Sequence, residues 1–278
     1  MEKILTLKDT KIAYEHSGAG PPLLLVHGTS GDRFGWNDLR PFLEGQFTVY
    51  AMDRRGRHKS VDHGEYSVER EFEDVARLID KISRDSGNQS VHLIGHSFGA
   101  VCSFGASVLT GNISSLVLFE PPPVNIIELV PQEVMDSLKK LYDEGDYEGL
   151  LCTFFQVIGG ASPEQLENER SLPEWPEKVA FAHTIYRELN ASIPLSQFDP
   201  TPYIQLKLPV LLLVGENTHP IYSLAAKQYQ GWLHNSTTVI LPGQGHLATK
   251  EAPDLLASEI TSFISGLQKV RMIEQLSH

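Results

Sequence analysis

The sequence predicts an α/β fold: a mostly parallel, twisted sheet flanked by helices and interrupted by a helical insertion. Three observations carry that expectation. Short continuous apolar runs alternate with segments of helical periodicity, the pattern of parallel strands covered on both faces. One such run, Val91-His92-Leu93-Ile94, leads directly into Gly95-His96-Ser97-Phe98-Gly99 and on into a helical stretch from Ala100. Between Pro121 and about Leu208 the alternation stops, and helical patterns alone remain.

Taken in order, Leu5-Thr6-Leu7 and Ile12-Ala13-Tyr14 flank a charged turn and predict an opening hairpin. Leu23 to Val26 reads as a buried strand entered through Gly20-Pro21-Pro22, and Phe47 to Met52 as another. Between them Phe34, Trp36, Leu39, Phe42 and Leu43 fall at helical spacing. Phe72, Val75, Leu78, Ile79 and Ile82 mark an amphipathic helix over 69–82. Strand 91–95, a helix to about Thr110, strand Ile113 to Phe119, strand 209–214, a helix, strand Thr237 to Leu241 and a last helix over about 252–267 complete the alternation. The intervening segment has helical patterns at Val134/Leu138/Leu141, Leu150/Leu151/Phe154/Phe155 and Val179/Ala182/Tyr186/Leu189, with proline clusters at both edges. It is expected to cap one edge of the sheet, dividing the chain into a core of 1–122 and 207–278 and a helical cap of 123–206.

Composition sets outer bounds. The chain has 278 residues, of which 41% are hydrophobic and 21% charged, enough for a sizeable core. A formal net charge of -12 repels phosphate backbones and argues against nucleic acid as a partner. Cys102 and Cys152 lie in apolar stretches and suggest reduced core residues rather than a disulfide framework or a metal site. The first residues lack a signal-peptide apolar region, and no run approaches the roughly 18 apolar residues of a membrane span. The expectation is a cytoplasmic protein with a small-molecule substrate and no membrane partner; the oligomeric state is left open.

The chemistry centres on the Gly-x-Ser-x-Gly run. A serine there sits on a strained strand-to-helix turn, with its hydroxyl projecting into open space and small residues on either side to let neighbouring backbone pass. Ser97 is thus the candidate nucleophile, and the backbone amide of Phe98, at the helix start, a candidate oxyanion donor. A second donor is expected from the loop after strand 23–26, His27-Gly28-Thr29-Ser30-Gly31, where Gly28 permits a sharp turn that frees the Thr29 amide. A serine hydroxyl needs a base. Of 11 histidines, His246 alone stands in a glycine-flanked loop between the last strand and the last helix, at the carboxyl edge where Ser97 must also lie.

The His27-Gly28-Thr29 loop, Met52-Asp53-Arg54-Arg55-Gly56-Arg57-His58-Lys59-Ser60, the Gly95–Gly99 turn and Gly243-Gln244-Gly245-His246 match in content, order and spacing. In these the chain resembles the α/β-hydrolase superfamily, members with a helical cap, over nearly its whole length. The resemblance implies that Asp53, Arg54 and Ser60 are scaffold. It also exposes a departure. Relatives often carry the triad acid after the penultimate strand as Gly-x-x-Asp, whereas here Gly215-Glu216-Asn217 is followed by Thr218, which cannot hold a charge beside an imidazolium. Glu120, at the tip of strand 113–119, offers a carboxylate on the same edge and keeps the chain order Ser97, Glu120, His246. Some superfamily members place their acid after this strand. Glu120 is therefore the favoured acid, with Glu216, Asp199 or no acid as alternatives.

The expected function is a cofactor-free, metal-free serine hydrolase acting on a carboxylic ester or a related acyl substrate. Lactone, thioester or C–C bond cleavage by the same machinery remains open, as does a ligand receptor that retains the triad. The cap aromatics Phe154, Phe155, Trp175, Phe181 and Tyr186 could line an acyl pocket, but their helical spacing equally suits core packing.

Overall fold

The computed structural model describes residues 2–7 and 10–276, with side chains to residue 269. The charged turn expected at Lys8-Asp9 lies outside the described residues. The eight strands are β1 (Lys3–Thr6), β2 (Lys11–Gly18), β3 (Pro22–Val26), β4 (Thr48–Met52), β5 (Val91–His96), β6 (Ile113–Phe119), β7 (Val210–Gly215) and β8 (Ser236–Leu241). They form one sheet in the order β1-β2-β4-β3-β5-β6-β7-β8. β1 and β2 pair antiparallel, β2 joins β4 antiparallel, and every later pairing is parallel.

The apolar runs are strands because both of their faces are covered. Along β3, Leu24 and Val26 face one core with Leu93, Leu118 and Leu212, while Leu23 and Leu25 face the other with Ile94, Val117 and Leu213. The first core is closed by α2 (Val68–Asp85) and α3 (Phe98–Ala106), the second by α12 (Pro253–Leu276) through Leu256, Ile260 and Ile264. α2 and α3 touch at Gly105, where a β-carbon would stand 2.2 Å from the Phe72 ring. α10 (Pro220–Trp232) and the single turns α1 (Arg40–Leu43), α9 (Thr201–Ile204) and α11 (Ala248–Glu251) fill the remaining connections.

Between β6 and β7 the described chain is helical: α4 (Gln132–Glu144), α5 (Tyr147–Thr153), a π turn at Phe154–Ile158, α6 (Pro163–Arg170), α7 (Trp175–Phe181) and α8 (His183–Asn190). These helices share a core of their own, including Leu138, Leu150, Leu151, Trp175, Ile185 and Leu189, with Phe154, Phe155 and Tyr186 packed against it. Of the aromatics expected either to line an acyl pocket or to pack in the core, Trp175 belongs to this core, and Phe154, Phe155 and Tyr186 lie half-buried against it.

Several boundaries differ from expectation. The helix expected across 34–43 is instead a 3-10 turn at Arg33–Trp36 followed by α1. Asp32 caps the first turn by accepting from the Phe34 and Gly35 amides, and Pro41 in α1 cannot donate backward to continue a helix from it. The helix after Ser97 ends at Ala106, not near Thr110, and Ser107 Oγ donates to the Phe104 carbonyl at that end. Cys102 is buried as expected, whereas Cys152 is only half-buried.

β3 and β5 are adjacent, yet the chain leaves β3 toward β4 on one side and reaches β6, β7 and β8 on the other. Loops leaving the carboxyl ends of β3 and β5 diverge at such a switch point and open a crevice. His27, Ser97, Glu120, Thr218 and His246 all follow parallel strands and emerge at this one edge.

Candidate active site

The turn at Ser97 is strained, and its neighbours explain why it survives. Ser97 has φ 55° and ψ -128°, a conformation that disfavours a side chain and costs on the order of 1–3 kcal/mol. Its amide donates to the Phe119 carbonyl at 2.9 Å, tying the turn to β6. A β-carbon at Gly95 would stand 2.4 Å from the Gly99 carbonyl oxygen, and one at Gly99 would stand 2.3 Å from that of Val26. Both glycines are thus fixed by close approach of the backbone.

The loop after β3 lies directly against the serine. A β-carbon on Gly28 would stand 2.8 Å from Ser97 Cβ and 3.3 Å from its Oγ. His27 sets the direction of the next peptide. Its Nε2 accepts from the Arg54 amide at 3.0 Å, so Nδ1 carries the proton and donates to the Gly28 carbonyl at 2.8 Å. Burial, with the charges of Arg57 and Arg54 beside it, holds His27 well below the ordinary histidine range and keeps this neutral tautomer. The Gly28 carbonyl and the Thr29 N–H belong to one planar peptide and point in opposite directions. Holding the carbonyl at His27 therefore turns the Thr29 N–H away from the His27 ring. Among the described residues, neither the Thr29 nor the Phe98 amide donates to a protein acceptor outside regular secondary structure.

His246 Nδ1 lies 2.6 Å from Glu120 Oε2. Glu120 is fully buried and itself adopts φ 46°. Its Oε1 accepts from the Gly215 amide at 2.8 Å, and its Oε2 also accepts from Thr218 Oγ1 at 3.0 Å. The threonine in the familiar aspartate position thus serves as a hydrogen-bond donor to a carboxylate on the neighbouring strand. Glu216 points elsewhere: its Oε2 accepts from the Gly243 amide at 2.8 Å. Asp199 caps the Thr201 amide at 2.9 Å on the exposed surface. Among the described residues Ser97 Oγ makes no hydrogen bond, and the side chains at the His246 ring nitrogens are Glu120 and Tyr222. Catalytic serine–histidine bonds are often long until substrate binds.

Several participants were not visible as such in the sequence. His96 Nε2 donates to the His246 carbonyl at 3.0 Å, and its ring stacks on Phe119 at 4.8 Å. Burial, reinforced by His246 beside it, pushes His96 well below the ordinary histidine range. Tyr222, from α10, stacks on His246 with ring centroids 4.5 Å apart. Glu188 reaches in from α8, fully buried. One of its oxygens accepts from Thr29 Oγ1 at 2.8 Å, the other from Arg57 Nη2 at 2.6 Å, with Arg54 Nη2 at 2.8 Å. Burial alone would raise its pKa, but the Arg54, Arg57 and Arg187 guanidiniums outweigh that and hold it well below the usual carboxylate range. Arg54 also pairs with Glu71 at 2.9 Å, and Ser60 Oγ donates to the Asp53 carbonyl at 2.7 Å, as scaffold residues do. His27 is legible in the sequence as part of the loop motif, but its contact with Arg54 is not, and Glu188 carries no local signal at all; both depend on long-range partners.

An apolar cavity lined by Phe98, Val101, Pro122, Val124, Ile126 and Ile193 lies where the core meets the insertion. A cavity of about 270 Å³ opens instead at the amino-terminal edge of the strands, by Gln89, Ser90 and Ser114, away from Ser97. Asp32, His58 and Glu177 bring ligand-type atoms within 4.8 Å of one another, and a 3.0 Å His58–Asp32 hydrogen bond already accounts for that pair. Among the described residues, no helix is long and apolar enough to cross a membrane.

A parallel sheet whose carboxyl edge carries a strained serine turn, a histidine and a buried carboxylate defines the class, and the chain belongs to the alpha/beta hydrolase family, whose model matches residues 23–259. A solved alpha/beta hydrolase from Sphaerobacter thermophilus superposes with a TM-score of 0.80 and 30% identity, covering 94% of this chain and 100% of that one. The chain is also similar to the 2-hydroxy-6-oxo-6-(2'-aminophenyl)hexa-2,4-dienoic acid hydrolase of Metapseudomonas resinovorans, 23% identical over 95% of this chain and 91% of that protein. It is likewise 23% identical to the 2-(acetamidomethylene)succinate hydrolase of Mesorhizobium japonicum, over 90% of each.

Proposed function

We propose that this hydrolase is a serine hydrolase acting on a carboxylic ester or a close acyl relative through Ser97, His246 and Glu120. The observation that supports it most is the 2.6 Å contact between His246 Nδ1 and a buried Glu120, on the same strand edge as Ser97. Glu120 fixes the tautomer with its proton on Nδ1, leaving Nε2 as the base. His246 takes the Ser97 proton as Oγ attacks the carbonyl carbon. The Thr29 and Phe98 amides receive the negative charge that collects on the carbonyl oxygen. Nε2 then returns the proton to the leaving group, and water, activated by the same histidine, releases the acyl group from Ser97.

A second reading, cleavage of the C–C bond beside a ketone, draws support from the relative named for a 6-oxo dienoic acid. Both readings need Ser97. A fluorophosphonate probe is expected to label it, and Ser97→Ala is expected to lose labelling and turnover on p-nitrophenyl acetate while melting as the parent does. Full turnover in Ser97→Ala overturns the mechanism. A burst of one equivalent followed by a stable adduct identifies a receptor that retains the triad.

A further inference from the structure

Tyr222 has no part in the mechanism above, yet it lies against the proposed base. Its ring and that of His246 are 4.5 Å apart between centroids and within 18° of parallel. Its hydroxyl oxygen is 3.4 Å from His246 Nε2. That distance is not a hydrogen bond to the nitrogen lone pair, which lies in the imidazole plane. A hydroxyl on the lone pair would put the rings side by side, with centroids roughly 7 Å apart. At the observed spacing the rings overlap face to face, so the oxygen sits over the face of Nε2. The in-plane lone pair is left unengaged by Tyr222.

We propose that Tyr222 is a positioning residue that stabilises the positive charge on His246 during proton transfer, through its ring face and the hydroxyl oxygen over Nε2. The proposal rests on the reading of Ser97, His246 and Glu120 given above. The physical basis is the negative face of an aromatic ring, which attracts a cation held over it. His246 becomes that cation when it takes the Ser97 proton. The titratable groups facing it among the described residues are Glu120 at Nδ1, the His96 ring at 4.6 Å, and Tyr222. His96 is neutral and donates to the His246 carbonyl, so it opposes no charge on the ring. Thr218 Oγ1 donates to Glu120 and brings no charge of its own. Glu120 therefore balances the charge at one edge of the imidazole, and Tyr222 at its face. Burial, with the Glu120 charge nearby, raises the Tyr222 pKa, so its hydroxyl stays neutral while His246 cycles.

The test varies the electrostatics of the ring without its shape. Tyr222→Phe removes the hydroxyl, and trifluorophenylalanine placed at 222 weakens the negative face in nearly the same volume. Each intact variant is assayed for kcat/KM against pH on p-nitrophenyl acetate, and the His246 titration is followed separately by nitrogen-15 NMR. From phenylalanine to trifluorophenylalanine, the acidic limb and the NMR midpoint are both expected to move down by about half a pH unit. The direction follows because a destabilised imidazolium loses its proton more readily. The plateau of kcat/KM is expected to fall about threefold, with the loss in kcat and little change in KM. Coincident NMR midpoints in the two variants would show that the ring merely packs, and would overturn the proposal. The NMR titration keeps the two readings apart. A shifted midpoint in a protein without Ser97-dependent turnover overturns the triad and upholds the ring contact.

Discussion

Changing Glu120 to Gln swaps one oxygen for an NH2 group in a pocket built entirely for an acceptor. Three donors converge on the carboxylate: the Gly215 amide at 2.8 Å, Thr218 Oγ1 at 3.0 Å and His246 Nδ1 at 2.6 Å. A glutamine brings a single acceptor oxygen. With that oxygen toward Gly215, the NH2 faces His246 and drives its proton to Nε2, where it blocks acceptance from Ser97. With the amide flipped, NH2 meets the Gly215 N–H, donor against donor, at a cost of about 1–3 kcal/mol. In either pose the charge that balances the imidazolium is gone. The expected result is a loss of about three to four orders of magnitude in kcat, with a small fall in Tm. The assay is turnover of p-nitrophenyl acetate, with the rate of fluorophosphonate labelling and a thermal melt alongside. Glu216→Gln, which perturbs only the bond to the Gly243 amide on the exposed surface, is expected to stay within about twofold. Glu120→Gln activity within about tenfold of the parent, or an equal loss in Glu216→Gln, would refute the assignment of the acid.

The buried carboxylate of Glu188 and the buried histidines give two more tests. Glu188→Gln leaves Arg54 and Arg57 facing a neutral amide and should cost about 3 kcal/mol, read as a Tm lower by several degrees, together with slower Ser97 labelling as Thr29 loses its anchor; an unchanged Tm would count against the pair being a working link. His27 and His96 are held neutral below the usual 6.5 when folded but take a proton when unfolded, so their stability contribution is present above about pH 6.5 and lost as pH falls. Asp53, raised to about 6 by burial against the pull of Arg33, acts in the opposite sense below that pH. Two histidines against one carboxylate leave a net loss of about 2 kcal/mol between pH 7.5 and 5.5, and a Tm that holds or rises across that window contradicts the buried neutral tautomers.

The legible parts of this protein are those where chemistry is written locally. The serine turn was readable because Gly95 and Gly99 are required by backbone contacts only a few residues or one strand away. Glu120 stood out because a carboxylate has no place at the tip of an apolar strand. Thr218 reads as a loss, since a sequence shows that threonine carries no charge but not that its hydroxyl reaches a neighbouring strand's acid. Tyr222 was invisible because its stacking depends on how α10 leaves β7. Glu188 looks like an ordinary polar position of an amphipathic helix; its burial is decided by Arg54 and Arg57, more than a hundred residues earlier. The break in the helix over 34–43 is hidden from apolar spacing, which takes no account of the Asp32 cap and Pro41.

The Glu188 contacts also bear on how separable the two parts of this chain are. Helical insertions between β6 and β7 invite exchange, since the flanking strands hold the sheet together without them. Here the insertion supplies the counter-charge for two core arginines and the acceptor for the Thr29 hydroxyl. Arg54 keeps Glu71 as a partner, so a transplanted insertion without a carboxylate at this point would leave the Arg57 guanidinium buried and unbalanced. A chimera must therefore bring an equivalent acid or neutralise Arg57 as well. For the same reason, moving α8 outward would break its contacts with Arg54, Arg57 and the Thr29 hydroxyl at once.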